Sequence, residues 1–238
     1  MDATTSLARL AERPEQAAIL LDVDGTLAPI VDRPEDARVP DRTRDVLARL
    51  AARYRLVACL SGRPGADAAR VVGVDAIRYV GEHGLELEPD AEIWAERLAA
   101  FARSTAWPNE PGKRLSLSFH YREAADEAAA RSELATVADR AREEGLRPRW
   151  GRKVLEIRPP IDADKGTAVR RLVAEAGVQR ALYAGDDSTD LDAFGGLAEL
   201  ELAVRVAVLS DEAPDALVEA ADVTVDGPGA LAELLGTL

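Results

Sequence analysis

The chain has 238 residues, enough for one large domain or two modest ones, and 47% hydrophobic with 31% charged residues is the balance of a soluble globular fold. Its 43 acidic against 30 basic residues leave a net charge of −13, which argues against nucleic acid or an anionic membrane as a partner. A single cysteine, Cys59, excludes an intrachain disulfide framework and a cysteine-rich zinc site, and its setting in RLVACLSG marks it as a packed strand residue.

The first 17 residues mix charges and hold no apolar stretch of the signal-peptide kind. No apolar run approaches the about 18 residues that span a bilayer, so a cytoplasmic location is expected, and with it a monomer. Ala18–Leu27 reads as a short buried strand that stops abruptly at Asp22 and Asp24, followed by Gly25 and Thr26. Two carboxylates have no reason to enter a core unless they are paired or bind a metal.

Pro29–Pro40 is a proline-rich loop, and Asp41 reads as the N-cap of a helix reaching Arg53. Leu56–Leu60 is a second strand ending in Ser61-Gly62-Arg63. A helix over Ala66–Val72 and a third strand over Ile77–Val80 close on Gly81-Glu82-His83-Gly84. Alternating strands and helices with short links predict right-handed crossovers and a parallel sheet.

The rhythm then changes. Leu85–Leu87 reads as a short strand, Ile93–Arg103 as a helix, Leu115–Tyr121 as an alternating strand, Glu123–Glu144 as a helix and Val154–Ile157 as a strand. This block is expected to form a separate small α+β unit, over residues 85–159, placed over the strand ends of an α/β core built from residues 1–84 and 160–238. The core rhythm resumes with a helix over Asp164–Ala176 and a strand over Ala181–Ala184 that runs into Gly185-Asp186-Asp187-Ser188-Thr189-Asp190. A further helix, the strand Ala203–Leu209, a short helix after Pro214, the strand Val223–Val225 and a closing helix complete the chain.

Polar clusters thus end three strands, and Lys165 opens a helix. In a parallel sheet they fall on one edge, where such folds bind ligands. Facing carboxylates repel unless a hard cation lies between them, and Mg²⁺, with its preference for oxygen ligands, suits the site. Asp22 is expected as the nucleophile that takes up a phosphoryl group, and Asp24 as the acid that protonates the leaving oxygen and later deprotonates water. Gly25 allows the tight turn, the Thr26 hydroxyl orients phosphate or nucleophile, and Ser61 and Lys165 supply a hydroxyl and a positive charge to the phosphate.

DVDGT, SGR, the lone Lys165 and GDDSTD, in this order, resemble the four motifs of the haloacid dehalogenase (HAD) superfamily of aspartate-nucleophile phosphatases. The resemblance implies an α/β fold: a Rossmann-like HAD core with a parallel sheet, and an inserted α+β cap of the C2 type. GEHG at 81–84, HYR at 120–122, KVLEIRP at 153–159 and GDDSTD resemble the trehalose-6-phosphate phosphatases most closely. That resemblance implies a small-molecule sugar phosphate, trehalose 6-phosphate, as substrate and a magnesium site made of Asp22, the Asp24 main-chain carbonyl and Asp186. It also implies sugar contacts from Glu82, Arg122, Lys153 and Glu156. Around them, Ser61, Gly62, Arg63 and Thr26 are candidates for the phosphate, Asp190 for orienting water or Lys165, and Asp187 for a supporting or capping role.

Blander readings stand beside these. Arg63 suits a surface ion pair as well as a substrate, and Lys153 and Glu156 suit a cross-strand pair. His83 and His120 are not spaced as a zinc pair and read as structural. Trp94, Trp107 and Trp150 suit packing better than sugar stacking. Sucrose or mannosyl phosphates are alternative substrates. A phospho-accepting receiver-type domain and a sugar-phosphate sensor without turnover are the alternatives of a different class; the insertion and the paired aspartates argue against the first, and the presence of every residue the chemistry needs argues against the second.

Overall fold

A computed structural model describes residues 3–31, 33–151, 153–210 and 213–238. Met1 and Asp2 of the leader stretch and Asp32 of the proline-rich loop lie outside the described residues. The chain divides into two compact units, one of residues 1–84 with 163–238 and one of residues 85–162.

The first unit begins with a helix, α1 (Ala3–Ala11), that the sequence reading did not anticipate, and Leu7 and Leu10 on it pack into the core. The strand β1 (Ala17–Leu21) is wholly buried. It leads through the proline-rich loop to α2 (Asp41–Arg53), β2 (Leu56–Leu60), α3 (Gly65–Val72) and β3 (Arg78–Val80). Asp41 is not the N-cap of α2. Pro40 holds that position, with no side-chain cap, and its fixed φ of −59° suits the helix entry.

The second unit contains α4 (Ala95–Arg103), β4 (Leu117–His120), α5 (Glu127–Glu143), β5 (Arg147–Gly151) and β6 (Val154–Arg158). Leu85–Leu87 is not a strand. Glu82, His83 and Gly84 take left-handed backbone angles and turn the chain into a short helical segment, Glu82–Leu87. The third strand of the small sheet is β5 instead, in antiparallel order β4-β6-β5. Its Pro148 is compatible with an edge strand and unsuited to a central one. Leu155, Ile157, Leu117 and Phe119 face a core closed by Phe101 and Leu134, while Ser118, Glu156 and Arg149 share a register row on the opposite face.

The first unit resumes with α6 (Lys165–Ala176), β7 (Arg180–Gly185), α7 (Asp190–Gly196), β8 (Leu202–Leu209), α8 (Asp215–Ala220), β9 (Val223–Asp226) and α9 (Gly227–Leu235). Its six strands pair in parallel in the order β3-β2-β1-β7-β8-β9. The chain therefore leaves β1 to one side for β2 and later returns on the other for β7. The crevice beyond the carboxyl ends of these three strands is where such a sheet gathers ligand-binding loops. Among the described residues no helix is long and apolar enough to cross a membrane.

Charge pairing inside the second unit has a measurable signature. Glu110 lies 3.1 Å from the Lys113 ammonium and 3.2 Å from the His120 ring. Burial raises the Glu110 carboxyl, but the His120 and Lys113 contacts together pull it down to about 2. A folded-state value below the ordinary 4.5 stabilises the fold above that pH and is lost as pH falls toward 2. The thermal midpoint of the parent protein is expected to drop more steeply over that range than that of Glu110→Gln. Equal slopes in calorimetry would contradict the pairing.

Candidate active site

The site is built where β1 runs out. Apolar residues fill β1 through Leu21, and the next residue, Asp22, stays tied to the sheet by its amide on the Ala184 carbonyl at 2.9 Å. Its carboxylate is only 5% exposed. The sequence then needs a sharp turn, and Gly25 supplies it with a φ of +86°. The missing side chain matters too: a Cβ at Gly25 would lie 2.1 Å from Asp186 Oδ2, so the Asp186 carboxylate occupies the space that any other residue would fill.

Lys165 is the first residue of α6, and Asp164 anchors that helix start through a capping box with Thr167. The Lys165 side chain is 2% exposed and its Nζ donates to Asp22 Oδ1 and to Asp190 Oδ1, both at 2.7 Å. Asp190 is saturated with donors. Oδ1 also accepts from the Tyr183 hydroxyl at 2.7 Å, and Oδ2 accepts the Asp186 and Asp187 amides at 2.9 Å each. Thr26, fully buried, donates its hydroxyl to Asp186 Oδ1 at 2.7 Å.

Electrostatics follow from burial and from the count of charges. Burial raises Asp22 well above the ordinary carboxylate range; Lys165 opposes this, and Asp190, Asp186 and Asp187 reinforce it. Burial likewise lifts Asp186 to about 7, against the Thr26 hydroxyl, which lowers it. Burial would lower the Lys165 ammonium, but Asp190 and Asp22 outweigh it and hold Lys165 charged well above its usual range. Asp187 is an outlier at about 2, where Lys165 and the Thr189 amide and hydroxyl overcome its burial.

Ligand oxygens of Asp22, Asp186 and Asp190 all lie within 4.8 Å of one another, a grouping that could hold a metal ion. Three carboxylates face one ammonium here, and an oxygen-seeking divalent cation would balance the remaining charge. Both Asp190 oxygens are committed to donors, so Asp22 and Asp186 are the carboxylates with capacity for an ion and Asp190 orients Lys165. That fits a hard divalent cation.

The other candidates divide. Asp24 is half-buried, and Arg63 grips it with two bonds, Nε to Oδ2 at 2.6 Å and Nη2 to Oδ1 at 2.7 Å, while Nη1 reaches the Pro34 carbonyl at 3.0 Å. Arg63 therefore holds the second aspartate in an ion pair, one of the two roles the sequence left open for it beside a substrate contact. The Thr26 hydroxyl, expected to orient phosphate or the nucleophile, is turned inward onto Asp186. Ser61, 1% exposed, accepts the Arg63 amide at 3.1 Å. Gly62 passes so close to the His83 ring that a Cβ would sit 2.7 Å from Nε2. Glu82 is buried, and its amide donates to the Arg63 carbonyl at 2.9 Å.

In the second unit, Arg122 is exposed beyond β4 and Glu156 is buried on the polar sheet face. Lys153 does not pair with Glu156. It takes a φ of +53° at the β5–β6 turn and donates to Glu127 Oε1 at 2.6 Å, at the start of α5. Trp94, Trp107 and Trp150 pack on the unit's core. His120 joins Glu110 and Lys113, and the Lys113 ammonium also reaches Ser118 Oγ at 2.8 Å. Cys59 is buried, which raises its thiol above the usual range.

Two groups escaped the sequence reading. Tyr183 looks like any apolar strand residue until its hydroxyl meets Asp190. Glu110 and Lys113 sit in a loop that carries no motif, and their three-residue spacing was the one available signal.

Comparison with known proteins agrees with this geometry. The trehalose-phosphatase family model matches residues 20–107 and 111–223. The trehalose-phosphate phosphatase of Mycobacterium marinum (strain ATCC BAA-535 / M) is 36% identical over 243 residues, which cover 93% of this chain and 61% of the relative. The chain thus spans about three-fifths of that relative's length. The C-terminal domain of a C. albicans trehalose-6-phosphate phosphatase superposes with a TM-score of 0.74 at 22% identity, covering 100% of this chain and 96% of that one. A haloacid dehalogenase-like hydrolase from Bacteroides thetaiotaomicron superposes with a TM-score of 0.64 at 18% identity, over 92% of this chain and 98% of that one. These two likenesses show the fold, which is that of HAD-like hydrolases.

Gly25→Ala sets a methyl group against Asp186 and strains a left-handed turn. The change is expected to weaken divalent-cation binding by about 10–100-fold, the size of effect seen when the groups placing a metal ligand are disturbed. Titration calorimetry reads this without turnover, and unchanged affinity would contradict the placement of Asp186 in the cation site.

Proposed function

We propose that this chain, which belongs to the trehalose-phosphatase family, hydrolyses trehalose 6-phosphate to trehalose and inorganic phosphate. The observation that carries the reading is the buried line Asp22–Lys165–Asp190 at the ends of β1 and β7, with Asp24 clamped two residues further along. Nothing in packing explains charges in that place; phosphoryl transfer does.

One oxygen of Asp22 is pinned by Lys165, which leaves the other to attack phosphorus. The bond to the sugar oxygen breaks as the aspartyl-phosphate bond forms, and Asp24, protonated and turned out of the Arg63 grip, would pass its proton to the departing oxygen. Asp24 then takes a proton from water, the water oxygen attacks phosphorus, and inorganic phosphate leaves with Asp22 restored. Lys165 remains protonated throughout and offsets negative charge on the transferring group. The Ser61 hydroxyl, whose oxygen already accepts the Arg63 amide, has its own proton to offer a phosphate oxygen. Asp22, Asp186 and the Asp24 carbonyl would hold Mg²⁺, whose charge further stabilises the phosphoryl oxygens.

Choice of sugar is assigned to Glu156 and Arg122 of the second unit, with Glu82 and Lys153 as further contacts. A buried carboxylate such as Glu156 suits paired sugar hydroxyls, since each carboxylate oxygen accepts without needing a proton. Residues 85–159 act in this reading as a cap.

Phosphate release from a panel of sugar phosphates with Mg²⁺ tests the proposal. Trehalose 6-phosphate is expected to turn over fastest and Asp22→Asn to abolish turnover with the fold intact. Faster turnover of sucrose or mannosyl phosphates would overturn the substrate, and no turnover of any sugar phosphate would overturn the hydrolase. Glu156→Ala is expected to lower activity on the disaccharide and spare p-nitrophenyl phosphate; equal losses on both would remove Glu156 from sugar recognition.

A further inference from the structure

Tyr183 sits in the middle of β7, paired in register with Leu20 and Arg205, and is completely buried. Its ring meets Phe194 edge-on, with centroids 6.1 Å apart at 83°. A phenylalanine would fill the same space and pack the same way. The hydroxyl is therefore not explained by packing. It donates to Asp190 Oδ1 at 2.7 Å, the same oxygen that takes the Lys165 ammonium.

We infer that Tyr183 is a positioning residue for phosphoryl transfer: its hydroxyl shares the load on Asp190, so that Lys165 is held equally by Asp190 and by the nucleophile Asp22. The inference rests on the hydrolase reading above. An acceptor oxygen with two donors draws on each less strongly than an oxygen with one. With the hydroxyl in place, the Lys165 distances to Asp22 and Asp190 are equal at 2.7 Å. Without it, Asp190 Oδ1 has the ammonium alone, draws Lys165 toward itself and leaves Asp22 Oδ1 less firmly held. The free oxygen of Asp22 then loses its aim at phosphorus. Tyr183 is completely buried in β7, so substrate binding is expected to be untouched.

The test is Tyr183→Phe, examined in three ways beside the parent protein. In kinetics with saturating Mg²⁺, kcat on trehalose 6-phosphate is expected to fall about tenfold, the low end for losing a hydrogen bond to a charged group, with KM unchanged. The unfolding transition is expected to stay cooperative with its midpoint lowered by a few degrees, because a buried hydrogen bond is lost while the ring remains. In crystal structures of both proteins, the Lys165–Asp22 contact is expected to lengthen by about 0.5 Å in the variant, to the long end of hydrogen-bond range, while Lys165–Asp190 stays short. A kcat within twofold of the parent, a loss carried by KM, an absent unfolding transition, or an unchanged Lys165–Asp22 contact would each overturn the inference. A parent without activity on any sugar phosphate would instead strike the hydrolase reading, and the crystal distances would still decide how Lys165 is shared.

Discussion

A single buried ammonium holds this site together. Lys165 lies between Asp22 and Asp190 at 2.7 Å from each and offsets part of the cost of burying both carboxylates. Removing one member of such a buried set leaves an uncompensated charge, at a cost of about 3–5 kcal/mol. The fold is arranged around that constraint. β1 delivers Asp22, the turn after β7 delivers Asp190, and the Asp164 capping box fixes the first residue of α6, which is Lys165 itself. A cation at a helix amino terminus is unfavourable on its own, because the peptide dipoles there are positive. Two carboxylates offset that, and so keep Lys165 in place.

The same constraint separates the two aspartates of DVDGT. Asp22 is sealed in and tied to Lys165, which suits a group that must hold one orientation while its other oxygen reacts. Asp24, two residues further on and just before the Gly25 turn, is half-buried and gripped by both arms of Arg63. That bidentate grip fixes the carboxylate plane, as a lysine could not. Arg63 is in turn held through its main chain by Ser61 and Glu82, so the SGR loop is a scaffold for Asp24, the residue proposed to move the proton. Backbone strain is concentrated at the same place: Glu82 and His83 accept left-handed angles that cost about 1–3 kcal/mol each.

Much of this was legible because strands of a parallel sheet write themselves as apolar runs with abrupt stops. Ala18–Leu21, Leu56–Leu60 and Ala181–Ala184 each end in the polar cluster that matters, and their order along the chain suffices to bring the clusters to one edge. Less legible was whatever depends on a partner far away in sequence. Nothing near Arg63 says that it reaches Asp24, and nothing near Lys153 names Glu127. Nothing near Thr26 says that its hydroxyl goes to Asp186. β5 was missed because Arg147–Gly151, with its proline and glycine, has the composition of a loop and holds its place as an edge strand through pairing with β6. Leu85–Leu87 misled in the opposite sense, since alternating leucines mimic a strand, and only the left-handed turn before them shows otherwise.

The central claim is that Asp22 carries the phosphoryl group and that Lys165 makes this possible. Rapid quenching of the protein with trehalose 6-phosphate and Mg²⁺, followed by mass spectrometry of the peptide containing Asp22, tests both parts at once. A transient phosphoryl adduct on Asp22 in the parent, and none in a folded Lys165→Met variant, is the expected result. Phosphate release without an adduct at Asp22, or an adduct formed at the parent rate without Lys165, would contradict it.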